Sequence, residues 1–143
     1  MTSILDFMTQ DHRHCDDRYA VAEEKVAAGR WDEAGQSWTT YRNALETHLN
    51  REEGLLFPAF EAQTGNTQGP TAVMRMEHEQ MRSIVSEMDE AIVAKDADSF
   101  LGLAETLMIL TQQHNMKEEQ ILYPMSDQML GDPDGLIKQM QDG

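Results

Sequence analysis

The sequence is poor in cysteine, proline, rings and positive charge, with one Cys, four Pro and 6% aromatic residues in 143 positions. A lone thiol excludes an internal disulfide framework, and it excludes the Cys-rich patterns of structural zinc knuckles and iron–sulfur clusters. It is what a cytoplasmic chain kept reduced would carry. No run of about 18 apolar residues is present, so no membrane span is expected. The first residues, MTSILDFMTQDHRHCDD, lack a basic region ahead of an apolar stretch, so no signal peptide is expected either. Lys and Arg number 11 against 26 Asp and Glu, a net charge of −15. Such a surface repels phosphate backbones and anionic headgroups, which argues against nucleic acid and membrane surfaces as partners. With few rings and 11 Met, the core must be built from Leu, Met, Val and Ala.

Breaks fall at Gly29–Asp32, Gln63–Pro70, Lys95–Ser99 and Gly131–Gly135. The stretches between them, roughly 25 to 35 residues each, are far longer than strands. Each carries a stripe at three- and four-residue spacing. The stripes read Leu5, Met8, His12, Cys15, Tyr19, Ala22, Val26; then Trp38, Tyr41, Leu45, His48, Glu52, Leu55, Ala59; then Met74, His78, Met81, Val85, Met88, Ile92; then Phe100, Leu103, Leu107, Leu110, His114, Glu118, Ile121, Met125. The expected fold is all-α, an up-down-up-down four-helix bundle over residues 1–132, with 133–143 as a tail that is a short helix or disordered. Pro58 and Pro124 are expected to kink or end their helices.

The chain matches itself at an offset of 66 residues without a gap. Met8 falls on Met74, His12 on His78, His48 on His114, Glu52–Glu53 on Glu118–Glu119, Phe57 on Tyr123 and Pro58 on Pro124. Two helical hairpins, 1–66 and 67–132, related by a pseudo-twofold, are expected. The repeat also decides between two neighbouring histidines. His12 maps onto His78, whereas His14 maps onto Gln80 and has polar neighbours, so His12 belongs to the core and His14 to the surface or a supporting position.

His12 and His48 lie 18 residues either side of the turn at residue 30, and His78 and His114 lie 18 either side of residue 96. At about 1.5 Å rise per residue, each pair sits at matching heights on adjacent helices. Glu52 and Glu118 follow their histidines by four, about one turn on. Buried carboxylates are rare without a partner. A set of imidazoles and carboxylates at one level suits Fe, Mn or Zn, with the carboxylates bridging two ions and a histidine pair on each outer side. Thr9, Leu45, Arg75 and Thr111 stand three residues before the histidines, so the Glu-x-x-His motif of ferritin-like bundles is absent. There is no His-Glu-x-x-His either.

The ordered set His12, His48-x-x-x-Glu52, His78, His114-x-x-x-Glu118 resembles the hemerythrin-like (HHE cation-binding) family over about residues 3–128. Asp11–His12, Glu77–His78, and the runs from His48 to Pro58 and His114 to Pro124 carry the same resemblance. It implies a non-heme di-iron centre with an oxo or hydroxo bridge. His12 and His48 would bind one iron, His78 and His114 the other, and Glu52 and Glu118 would bridge. Oxygen-carrying members have a fifth histidine one turn before the third motif histidine. Here that residue is Met74, read as core because a thioether is a poor ligand for iron in an N/O site. The four-His, two-Glu pattern is similar to the di-iron domain of iron–sulfur-cluster repair proteins, whose N-terminal cysteine pair this chain lacks. The implied function is a di-iron protein that binds or senses O₂ or NO or handles iron. The alternatives are an oxidoreductase acting on O₂, peroxide or NO, and an iron donor in cluster repair. Cys15, one turn after His12, is read as a small buried residue or a redox-active thiol. Tyr19, Tyr41, Trp31 and Trp38 are read as packing rather than electron carriers. Glu53 and Glu119 face water or support the site, with Glu119 the alternative to Glu118 as bridge.

Overall fold

The computed structural model describes residues 2–142, and among these every element is helical. The α-helices are α1 (Ile4–Ala27), α2 (Trp31–Arg51), α3 (Phe57–Thr64), α4 (Pro70–Val93), α5 (Ala97–Lys117), α6 (Tyr123–Met129) and α7 (Pro133–Asp142). α2 passes into α3 through a π-helical turn at Glu52–Leu56, and α5 into α6 through another at Glu118–Leu122. The described residues therefore form five helical rods. α1 packs on α2 and α4 on α5, α1 also meets α5 and α6, and α2 meets α4.

Local chemistry explains the rod ends. Ser3 caps α1 by accepting from the Asp6 N–H at 3.0 Å. Asp127, from α6, takes the next free donors, accepting from the N–H groups of Ile4 and Leu5 at 2.8 and 3.1 Å. The first turn is shorter than the sequence suggests, because α2 already starts at Trp31. Gly29 makes the reversal with φ +73°. The third break is also shorter: Ala97–Ser99 lie inside α5, whose first turn is capped by Asp96 accepting from the Ser99 N–H at 3.1 Å. Lys95 stands there in the left-handed region at φ 54°. A side chain with a Cβ is strained in that region by about 1–2 kcal/mol. Lys95→Gly is therefore expected to stabilise the chain by about 1 kcal/mol, read as a higher urea midpoint at unchanged slope.

The two π turns correct two expectations. Of the kink or end expected at Pro58 and Pro124, the end does not occur: each proline stands second in the helical segment after a wide turn. The wide turn closes with the N–H groups of Phe57 and Tyr123 donating to the carbonyls of Glu52 and Glu118, five residues back. This spacing gives the proline ring room that a regular turn denies it. The extra residue also rotates the helix beyond the turn. Past Glu52 the buried stripe runs through Leu56, Phe57 and Phe60, not Leu55 and Ala59. Past Glu118 it runs through Leu122, Tyr123 and Ser126, and Ile121 is 53% exposed. Smaller shifts occur elsewhere: Ile4 is buried rather than Leu5, Ala91 rather than Ile92, and Ala104 rather than Leu103.

The core comes in two parts. One cluster holds Cys15, Tyr19, Trp38, Tyr41, Met81, Phe100 and Leu107 with their neighbours. Its rings interlock, with Trp38 5.2 Å from both Tyr41 and Phe100. Two of the polar ends find partners: Trp38 donates to Asp89 at 2.6 Å and Tyr19 to the Ala104 carbonyl at 2.8 Å. This fits the packing role. The other cluster holds Ile4, Met8, Leu56, Phe57, Phe60, Met74, Leu122 and Tyr123. The last residues join it, because Ile137 and Met140 of α7 are buried there. Along α1, α2, α4 and α5 the boundary between the two clusters is occupied by His12, His48, His78 and His114, none more than 3% exposed.

Candidate metal centre

All six residues singled out from the sequence lie in that one layer. Glu52, His78, His114 and Glu118 bring ligand atoms within 4.8 Å of one another, and so do His12, His48 and Glu118. Glu118 belongs to both sets. Its Oε1 lies 3.1 Å from His12 Nε2 and 3.3 Å from His114 Nε2. Glu52 Oε1 lies 3.0 Å from His78 Nε2 and 3.4 Å from His48 Nε2. Both carboxylates are fully buried.

The outer ring nitrogens each meet a carboxylate. His12 Nδ1 is 2.7 Å from Glu119, His48 Nδ1 is 2.8 Å from Asp11, His78 Nδ1 is 2.6 Å from Glu53, and His114 Nδ1 is 2.8 Å from Glu77. These contacts place Glu53 and Glu119 as supports of the rings. Glu119 points outward and is 34% exposed along its side chain, whereas Glu118 points in. An Nδ1–H donated to a carboxylate fixes the ring and leaves the Nε2 lone pair facing the interior, an arrangement frequent around metal ligands.

Charge separates the outer carboxylates from the inner ones. Arg51 pairs with Asp11 at 3.0 Å, Arg82 with Glu53 at 2.8 Å and Lys117 with Glu77 at 2.6 Å. Burial pushes Asp11, Glu53 and Glu77 up, but hydrogen bonds and charge from these cations and the histidines leave all three below the usual carboxylate range. The inner pair has only the imidazoles for positive charge. Burial opposes charge on Glu52, yet the field of His48 and its hydrogen bonds hold it well below its ordinary value. Burial opposes charge on His48 too, and the Glu52 field with the Asp11 hydrogen bond raises it well above its ordinary value. His114 is raised to about 9 against the cost of burial, chiefly by Glu118.

The residues fit a cation on grounds of chemistry and geometry. His48 Nε2, His114 Nε2 and Glu118 Oε2 are buried without a hydrogen-bond partner. Buried polar atoms without a partner are costly, and here they converge on two sets of imidazole nitrogen and carboxylate oxygen suited to a first-row metal.

One residue of the layer is missing from the set that sequence spacing selects. The Tyr123 hydroxyl lies 2.8 Å from Glu52 Oε2, 3.0 Å from Glu118 Oε1 and 3.0 Å from His12 Nε2. Burial, then the charges of Glu118 and Glu52, raise it well above the ordinary phenol range. Its alignment with Phe57 was the available signal: one half of the repeat has an oxygen where the other has none. His14 is exposed and accepts from Arg18 at 3.2 Å. Met74 packs in the cluster beside the layer. Cys15 is buried, and burial pushes its thiol up to about 11. It lines a cavity of about 20 Å³ with Tyr19, Tyr41, His48, Thr111 and His114.

No helix among the described residues is long and apolar enough to cross a membrane. A family model described as the hemerythrin HHE cation binding domain matches residues 3–126. No curated protein and no solved structure matches the chain.

Proposed function

The chain belongs to the hemerythrin HHE cation-binding domain family, and from that premise we propose that it is a di-iron protein that binds or senses O₂ or NO. In this reading the four long rods make an up-down-up-down bundle of two related hairpins. The contacts support it, because the outer pairs repeat at the 66-residue offset: His12–Glu119 corresponds to His78–Glu53, and His48–Asp11 to His114–Glu77. His12 and His48 would hold one ion, His78 and His114 the other, and Glu52 and Glu118 would bridge. The observation that carries the reading is the convergence of four imidazole nitrogens and two carboxylates in a buried layer with unpartnered polar atoms.

Bound iron would supply reversible redox chemistry and affinity for a diatomic ligand. The protein's part is to position and enclose. The four outer carboxylates fix the rings, and the flanking apolar clusters keep bulk water away. The cavity beside His48 and His114 has room for one water-sized group. Thr111 lines it, with a buried hydroxyl that has no hydrogen-bond partner.

The test is metal quantitation with an absorption spectrum before and after O₂ and NO are added to the reduced protein. Two irons per chain and a stable adduct are expected. A chain that takes up no iron and shows no spectral change would refute the proposal.

A further inference from the structure

We infer that Tyr123 is itself a metal ligand, completing the ion position formed by His12, His48 and Glu118 and making the two ions of the centre chemically unequal. The inference rests on the di-iron reading above and adds a residue that the symmetric ligand set does not contain.

Donors are unevenly divided between the two positions. The set around His78 and His114 has four ligand residues, with both glutamates in it. The set around His12 and His48 has three. The Tyr123 oxygen stands beside the smaller set, 3.0 Å from His12 Nε2 and 3.0 Å from Glu118 Oε1. The residue at the corresponding place in the other half is Phe57, whose ring stacks on His78 at 5.4 Å and offers no oxygen. The phenol stands beside the position with the smaller donor set.

Three polar atoms surround the phenol oxygen at hydrogen-bond distance: two carboxylate oxygens and an imidazole nitrogen whose partner nitrogen meets Glu119. A cation among His12 Nε2, Glu118 Oε1 and Tyr123 Oη would draw on one nitrogen and two oxygens, donors suited to a first-row metal. On binding, a bond from cation to oxygen forms, the O–H bond breaks, and the proton leaves to solvent. No electron is transferred.

The experiment uses the whole chain loaded with iron, quantified, and oxidised to the ferric state. A visible phenolate-to-iron charge-transfer band is expected, with tyrosinate ring vibrations in Raman spectra excited within it. Tyr123→Phe should abolish both while helix content by circular dichroism is unchanged. The chain has three tyrosines, so Tyr19→Phe and Tyr41→Phe, which keep the signature, assign it to Tyr123 even if Tyr123→Phe folds poorly. Two irons bound with no tyrosinate signature would overturn this inference and leave the di-iron reading standing. So would a signature that survives in folded Tyr123→Phe. A chain that binds no iron overturns both.

Discussion

Glu118→Ala is expected to hold less than one iron per chain under conditions in which the unaltered chain is expected to hold two. Glu118 is the residue common to both ligand sets, with one oxygen near His12 and His114 and the other without a partner. Its loss takes an anionic oxygen from each position at once. It also leaves Glu52 as the only inner carboxylate to offset two dications in a buried layer, where charge without a counter-charge is costly. Glu119→Ala is the matching control. Glu119 touches only the outer nitrogen of His12 within the layer, so both ions should remain, with one held about 10- to 100-fold more weakly. Elemental analysis of the two variants after equilibration with iron decides the matter. If Glu119→Ala empties the centre while Glu118→Ala keeps two ions, the bridging assignment belongs to the wrong residue.

Removing the metal with a chelator should lower the melting temperature by about 10–20 °C without unfolding the chain at room temperature. An ion present at about a hundredfold excess over its Kd stabilises the folded state by about 2.7 kcal/mol, hence about 5 kcal/mol for two. In a chain of this size each kcal/mol moves the midpoint by about 2–4 °C. The metal-free chain should stay helical because the apolar clusters on either side of the layer are both well populated and neither needs an ion to form. Without cations the imidazoles and inner glutamates still pair with one another at 3.0–3.4 Å. A melt by circular dichroism with and without chelator measures the shift. Identical midpoints would count against a buried cation, and loss of helix on chelation would count against independent apolar clusters.

Much of the histidine and glutamate layer is legible from residue order. His12, His48, Glu52, His78, His114 and Glu118 can be drawn to one level because stripe spacing gives direction around a helix and distance from a turn gives height along it. The choice of His12 over His14 comes from the 66-residue match, and the structure places His12 inside and His14 outside. The sequence misleads just past the ligand motifs. Period counting assumes regular turns, and the π turns at Glu52–Leu56 and Glu118–Leu122 insert a residue that the count does not contain. That is why the count puts Leu55, Ala59 and Ile121 inside while Leu56, Phe60 and Leu122 are the buried ones. The same displacement hides Tyr123, whose phenol reaches His12, Glu52 and Glu118 from the segment after the turn.

The sequence by itself determined helix as the element, roughly where the long helices are interrupted, the stripes as far as Glu52 and Glu118, and the family, since each depends on local spacing or on the order of residues along one chain. Only the tertiary structure decided how the histidines are held and where α1 begins and α7 packs. Asp11 with His48, Glu119 with His12, and Asp127 at the start of α1 are contacts between different rods. Such contacts depend on how far neighbouring helices slide and rotate against each other. Packing of the whole core sets those two quantities, and no short stretch of sequence encodes them.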